Sequence, residues 1–359
     1  MILQLVVPTY NRPKIALESL KKLICIRDIF PNDISIACSS NKTENNLKTF
    51  CSSNDINYNE FEENLGGRKN LKYLLSNSYA EYCMILSDED SISLSTELVG
   101  DFLSFLKSLP EEVGAISCSI GLESNKKSYF NFIPEYQEFT YNLKDYFLLN
   151  MFLPTYMSGL TIKTSSIKNN NNLDLAYEEK MSNVYAHQSL VLRLLQTQKL
   201  AVYYKQIILK GDEVFFGGDG FSHVSEHSQK ITIKKNNLNP EVYSPEARFN
   251  QFTYIDDVIA SLKSNFFIKT HARLRNMYAF LKTMESCHEA TGITRHDAKE
   301  SNSNAYQLIK KSNQSNVLVT LFYFISSLPL VLLVFINKLL NNYFRATRFI
   351  YFKKRKLFN

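Results

Sequence analysis

ILQLVVPTYNRPKIALESLKKLI, Ile2 to Ile24, changes its apolar period midway. Ile2–Val7 is a mostly apolar run closed by Pro8, the pattern of a first buried strand. From Pro13, suited to a first helical turn, Ala16, Leu20, Leu23 and Ile24 recur at helical spacing. The alternation continues outward. Asp33–Cys38, Ile56–Phe61, Tyr82–Leu86 and Val113–Ser119 read as strands. Thr43–Phe50, Arg68–Leu75 and Ser95–Leu106 read as helices, the last with Leu98, Val99, Phe102, Phe105 and Leu106 on one face. Strands alternating with helices predict an α/β fold: a mainly parallel sheet with helices on both faces, joined by right-handed crossovers. Ligands of such sheets bind at the carboxyl ends of the strands.

Past residue 120 the alternation weakens. Tyr156–Ile162 and Leu200–Leu209 read as strands and Val184–Leu195 as a helix; Gly211–Ser225, with Gly217, Gly218 and Gly220, has the composition of a mobile loop. From about Tyr254 the chain reads as helical. At 359 residues, with 45% apolar and 21% charged residues, it can bury a sizeable core and is not a disordered chain. Six scattered cysteines without a CxxC pairing argue against a disulfide framework and a thiolate zinc site. Met1 leads straight into the apolar run with no basic n-region, which reads as a strand instead of a signal peptide and keeps the catalytic part in the cytosol.

The net charge of +6 is concentrated near the end. Val317–Ile336 is a stretch of twenty residues without a charge, followed by Arg345, Arg348, Lys353, Lys354, Arg355 and Lys356 among Tyr and Phe. Basic and aromatic residues beside an apolar segment suit anionic headgroups, and no basic recognition element for nucleic acid is present. Lys310 and Lys311 flank the other end, and Ser326, Ser327 and Pro329 interrupt the middle. A re-entrant or in-plane segment fits these residues better than a simple span; a buried core helix is the alternative.

Three stretches carry chemistry. In VVPTYNRP, Val6 to Pro13, Tyr10 offers a flat ring for a base and Arg12 a partner for a phosphate, although a plain strand-to-helix turn has the same form. In ENLGGRKN, Glu63 to Asn70, Gly66 and Gly67 admit a ligand near the backbone at a helix start. In MILSDEDS, Met84 to Ser91, an apolar strand delivers Asp88, Glu89 and Asp90 together. If extended, Asp88 and Asp90 point to one side and share a divalent cation, Mg²⁺ or Mn²⁺; a solvated acidic loop is the alternative.

In order and spacing, these stretches resemble the family 2 glycosyltransferases, with a GT-A, Rossmann-like domain, and within them the bacterial O-antigen, capsule and lipooligosaccharide transferases of the abequosyltransferase-like group. The resemblance spans residues 2–95 and thins towards 215. It implies a nucleotide-sugar donor held by Pro8, Thr9, Tyr10, Arg12, Asn64, Gly66, Arg68, Asn70 and Asp88, and a divalent metal at Asp90 with Asp88 nearby. It also implies a glycan or polyprenyl-linked acceptor, with Ser158 and Gly159 lining the acceptor side, at the cytoplasmic face of the inner membrane. Residues 1–120 would form the donor half, 121–250 the acceptor half, 251–315 a helical extension and 316–359 the membrane-associating end.

Two departures stand out. Ser39 occupies about the place of an Asp that contacts the base, so uridine is not implied. The helix near Val184 carries His187 and Gln188 where the resemblance leads one to expect the acidic pair that supplies the base. His187 is suited to general-base work near neutral pH, with Glu178 and Glu179 competing for the role. His223 and His227 could close over the diphosphate or add a metal ligand, with an exposed loop position as the alternative. A sugar nucleotidyltransferase is a second reading, weakened by the absence of glycine from VVPTYNRP, and an inactive membrane-associated relative is a third.

Overall fold

The computed structural model describes residues 1–10, 12–41, 45–122, 128–130, 140–149, 157–168, 171–177, 186–210, 245–291, 325 and 330–358. They divide into two compact units: Met1–Asn142, Leu153–Glu178 and Ala186–Val214, and Leu143–Phe152, Glu179–Tyr185 and Phe215–Asn359. In chain order the elements are β1 (Leu3–Thr9), α1 (Pro13–Ile29), β2 (Ile34–Ser40), α2 (Asn45–Ser53), β3 (Asn57–Glu60), α3 (Gly66–Ser76), β4 (Tyr82–Ile85) and β5 (Ser91–Ile92). There follow α4 (Thr96–Ser108), β6 (Val113–Leu122), β7 (Ser128–Phe130), α5 (Leu143–Leu149), β8 (Leu160–Lys163), α6 (Thr164–Lys168), α7 (Asn172–Ala176), α8 (Ala186–Leu194) and β9 (Lys199–Lys210). The last helices are α9 (Pro245–Ser261), α10 (Phe266–Thr291) and α11 (Leu330–Phe358).

Among the described residues all strands lie in the first unit, in one sheet of order β3-β2-β1-β4-β8-β6-β9-β5, with β7 paired to β6. The first four are parallel, as the alternation predicts. A mainly parallel sheet is nevertheless too simple. β8 runs antiparallel to both β4 and β6, and β5 antiparallel to β9, so the sheet is mixed. The reason is topological: the crossover through α4 carries the chain past a vacant slot beside β4, and β8 fills it later from the opposite direction.

The core forms because alternate residues of buried strands face the same side. Leu3, Leu5 and Val7 of β1, Ile34 and Ile36 of β2 and Met84 of β4 pack with Leu20 and Leu23 of α1, Leu47 of α2 and Phe102 of α4. Ser95 caps α4, accepting from Leu98 N at 3.3 Å, and its face closes on the sheet through Phe102 and Tyr203, 4.8 Å apart at the ring centres. The chain steps outward from β1 to β3 and then returns through α3 to β4, on the other side of β1. A right-handed return in the reverse direction puts α3 on the opposite face from α1 and α2. Both faces are therefore covered, and the topological switch falls at β1 and β4.

Pro8 does not end the first strand. β1 continues to Thr9, paired with Ser40, while its pairing with β4 stops at Val6. Leu86 N donates to Val6 O on the β4 side, whereas Asn41 N donates to Thr9 O on the β2 side. Pro8 shares the parity of Val6, so its missing N–H falls where β4 has already turned away.

The second unit is helical in its described residues. Arg273 of α10 donates Nε and Nη2 to the two carboxylate oxygens of the fully buried Asp256 of α9, at 2.8 and 2.6 Å. Phe344 of α11 packs against His271, with Tyr278 at 5.5 Å, and Tyr351 Oη donates to Asp145 of α5 at 2.8 Å. Of the apolar stretch 317–336, residues 325 and 330–336 are described, the latter opening α11. Among the described residues no helix is long and apolar enough to cross a membrane. The glycine-rich segment with His223 and His227 lies outside the described residues.

His271 connects this packing to pH. Burial, reinforced by the charge of Arg275, lowers its pKa to about 4. The unfolded chain takes up a proton near 6.5 and the folded one near 4, so stability falls as pH drops through that window and is unaffected above it. The loss is at most about 3 kcal/mol. Thermal melts from pH 7 to 4 should show a smaller decline for His271→Leu than for wild type; parallel declines would contradict the assignment.

Candidate functional site

The carboxyl ends of β1 and β4 are joined by charge. Thr9 Oγ1 donates to Asp88 Oδ2 at 2.5 Å, and Arg12, from the turn before α1, pairs through Nη2 with Asp88 Oδ1 and through Nη1 with Glu89 Oε2 at 3.0 Å. Asp88 has no exposed surface, and burial pushes its carboxyl up to about 6 against the pull of Arg12 and the Thr9 hydrogen bond. Burial also opposes the Arg12 charge, but Asp88 and Glu89 outweigh it and hold the guanidinium above its ordinary value. Arg12, expected to meet a phosphate, is thus turned onto two carboxylates.

Asp88 and Asp90 do not share one side of an extended segment. Asp90 N donates to Ser87 O at 3.0 Å, closing a turn that gives the two carboxylates different partners. Asp90 Oδ2 accepts from Ser158 Oγ at 2.5 Å, and its carbonyl accepts from Ser19 of α1 at 2.6 Å. The Ser158 hydroxyl also accepts from Ser87 N at 2.8 Å. Ser158, expected on the acceptor side, therefore reaches the acidic turn itself. Gly159 follows with φ +81° and donates its N–H to Ile85 O at 2.8 Å, which brings the start of β8 against β4.

Asn70 explains the Gly66–Asn70 stretch differently from a direct donor contact. It is buried in α3, and its Nδ2 donates to Thr9 O at 3.2 Å and Ser39 O at 3.0 Å, tying together the ends of β1 and β2. The exposed Asn64 accepts from Gly66 N at 2.9 Å, and Gly66 has φ +79°, a backbone that admits glycine readily as α3 begins. Arg68 is half-buried in the first turn of α3 and Pro8 half-buried in β1, while Tyr10 is 41% exposed at the rim, available to a flat ligand. Ser39, expected beside a base, is fully buried under Asn70.

His187 and Gln188 are buried in the first turn of α8, an element packed on α7 and β6. Glu178 and Glu179 lie outside the described residues. Ser19 escaped the sequence reading because a serine on an apolar helix face carries no pattern; its role appears only with Asp90 O beside it. Among the described residues no three or more His, Cys, Asp or Glu side chains gather to hold a metal ion. With Asp88 committed to Arg12 and Thr9, the donor set fits a cation only if Asp90 supplies a carboxylate and a bound phosphate much of the remainder.

No protein-family model and no curated protein sequence matches the chain. Solved structures share its fold. Residues 1–349 of S. aureus TarS match at a TM-score of 0.54 and 13% identity, covering 91% of this chain and 90% of that one. The UDP-GlcNAc complex of the same TarS fragment matches at 0.53 and 14% identity, again over 91% and 90%. Against the longer TarS structure the TM-score is 0.51 at 12% identity; the match covers 90% of this chain, which spans half (50%) of that one. At these identities the likeness is one of fold.

Two substitutions test the scaffold. Gly159→Ala would place a Cβ 2.8 Å from Ile208 Cγ1 and 3.3 Å from Cys118 Cβ on a left-handed backbone, costing about 1–3 kcal/mol and lowering the melting temperature by several degrees. Asn70→Ala removes two carbonyl partners and should cost about 1–3 kcal/mol by denaturant titration. Wild-type midpoints for both would show that these contacts do not hold the strand ends.

Proposed function

We propose that this chain is a glycosyltransferase that moves a sugar from a nucleotide-sugar donor to a glycan or lipid-linked glycan acceptor. The observation that carries the reading is the acidic turn Ser87–Asp90, clamped by Thr9, Arg12 and Ser158 at the switch point of the parallel strands. Crevices at that place in α/β sheets bind ligands. The shared fold with TarS, whose fragment binds UDP-GlcNAc, supports a nucleotide-sugar as that ligand. The three sequence stretches add the resemblance to family 2 transferases of bacterial O-antigen and capsule synthesis, which work at the cytoplasmic face of the inner membrane.

In this reading Tyr10 lies against the base, and Asp88, whose two oxygens engage Thr9 and Arg12, positions those two residues at the donor site. Asp90, oriented by Ser158, is the protein ligand of a Mg²⁺ or Mn²⁺ ion. When bound, that cation supplies positive charge beside the diphosphate. A base takes the proton of the acceptor hydroxyl as its oxygen attacks the anomeric carbon. The bond from that carbon to the diphosphate oxygen breaks on the opposite side, and its electron pair departs with the nucleoside diphosphate. Inversion follows. His187, Glu178 and Glu179 are the candidates for the base.

The site is tested by screening nucleotide sugars against the full chain with Mn²⁺ or with chelator, reading thermal stabilisation and nucleoside diphosphate release. One donor should raise the melting temperature by several degrees near saturation, with the gain lost on chelation and in Asp90→Ala. A folded chain indifferent to every nucleotide sugar would sink the reading. For the base, His187→Ala, Glu178→Gln and Glu179→Gln are compared at saturating donor. The variant lacking it should lose about 10²–10⁴ in kcat with donor stabilisation retained, and no such loss in any of the three would remove all three from the role.

A further inference from the structure

We infer that the outward face of α11 is a docking surface for an anionic lipid bilayer, on which the helix lies in the plane of the membrane. This goes beyond the donor-site reading and shares no residue with it. The helix has two faces of different kind. Asn337, Phe344 and Tyr351 follow one another at intervals of seven; the first two are buried and the third bonds Asp145, so this stripe is spent on the helical unit. Leu332, Phe335, Leu339, Tyr343 and Ile350 recur at steps close to the helical period on another side, with Phe349 beside them. They are 48%, 57%, 54%, 48% and 56% exposed, and Phe349 68%, an apolar stripe that the packing of the helix leaves in large part uncovered; at its edge the Tyr343 hydroxyl lies 3.3 Å from His271 Nδ1. From Leu332 to Ile350 it extends about 27 Å.

Charge selects the occupant. Lys338 and Arg345 are exposed beside the stripe, and the helix also carries Arg348, Lys353, Lys354, Arg355 and Lys356, with no Asp or Glu anywhere in its length. An apolar stripe flanked by cations, with aromatic residues interleaved, matches the boundary between acyl chains and anionic headgroups. A second copy of the helix would bring like charges together. A spanning arrangement is disfavoured because Lys338, Asn341, Asn342, Arg345 and Arg348 interrupt the apolar sequence of the helix, and burying them in hydrocarbon is costly. In the plane of the bilayer the apolar side enters and the cations remain at the headgroups.

The test is co-sedimentation of the full chain with vesicles of phosphatidylcholine mixed with phosphatidylglycerol, against phosphatidylcholine alone. Binding should require the anionic lipid, weaken with salt, and fall at least about tenfold in the triple variant Phe335→Ser, Leu339→Ser, Ile350→Ser. Because the chain has no tryptophan, Leu339→Trp and Arg345→Trp serve as single reporters. The first should shift to the blue on anionic vesicles, and the second should stay near its solvent value. Equal binding to neutral vesicles, unchanged binding by the triple variant, or a blue shift at both positions, as a span would give, overturns the inference. So does loss of self-association in the triple variant with vesicle binding intact, which would make the face a contact between copies. Donor stabilisation is read on the same preparations, so failure of the membrane surface and failure of the transferase reading are separately visible.

Discussion

A carboxylate with no access to water is expensive unless its charge is answered within the protein. Asp88 is such a group, and its neighbours can be read as the answer: the Thr9 hydroxyl on one oxygen and the Arg12 guanidinium on the other. Because Thr9 ends β1 and Asp88 follows β4, this compensation also ties two strand ends together at the topological switch point. Its elevated pKa, about 6, marks burial that these partners only partly offset. The same contacts that make the buried acid tolerable also fix its orientation.

Around this pair the remaining polar groups act through the backbone. Asn70 takes the carbonyls of Thr9 and Ser39 near the ends of β1 and β2, Ser19 takes the carbonyl of Asp90, and Ser158 links the turn amide at Ser87 to the Asp90 carboxylate. Asn70 adds a second donor to Thr9 O, which Asn41 N already reaches, while Ser19 and Ser158 answer polar groups of the turn. Gly159 is needed for a packing reason: just before β8, Ile208 of β9 and Cys118 of β6 occupy the place of its missing side chain. The antiparallel β8, which makes the sheet mixed, is thus also what brings Ser158 to the acidic turn.

The helical unit follows a different economy. Asp256 is fully buried against a bidentate Arg273, and His271 stays neutral among aromatic rings. The buried carboxylate of this unit is matched by Arg273, while α11 leaves one apolar side exposed. Such a face beside concentrated positive charge differs from the scattered single apolar residues of an ordinary protein surface.

The sequence by itself determined the local elements and the placement of the three polar stretches at strand ends. Apolar period and turn residues act over a few positions, so β1 to β4 and their helices were legible, as were Thr9, Arg12, Asp88 and Asp90 as a group. What those residues do to one another was not legible. Arg12 on Asp88, Asn70 on two carbonyls, Ser158 on Asp90 and the burial of Ser39 all depend on separations of thirty to eighty positions in the chain. Strand polarity in the second half was likewise undetermined, because a short apolar run pairs equally well in either direction. The same limit explains Pro8: its own ring is a local signal, but whether it ends a strand depends on where β4 turns away. Tertiary structure decided these points because hydrogen bonds and buried charges are satisfied across space, by whichever groups the fold brings within reach.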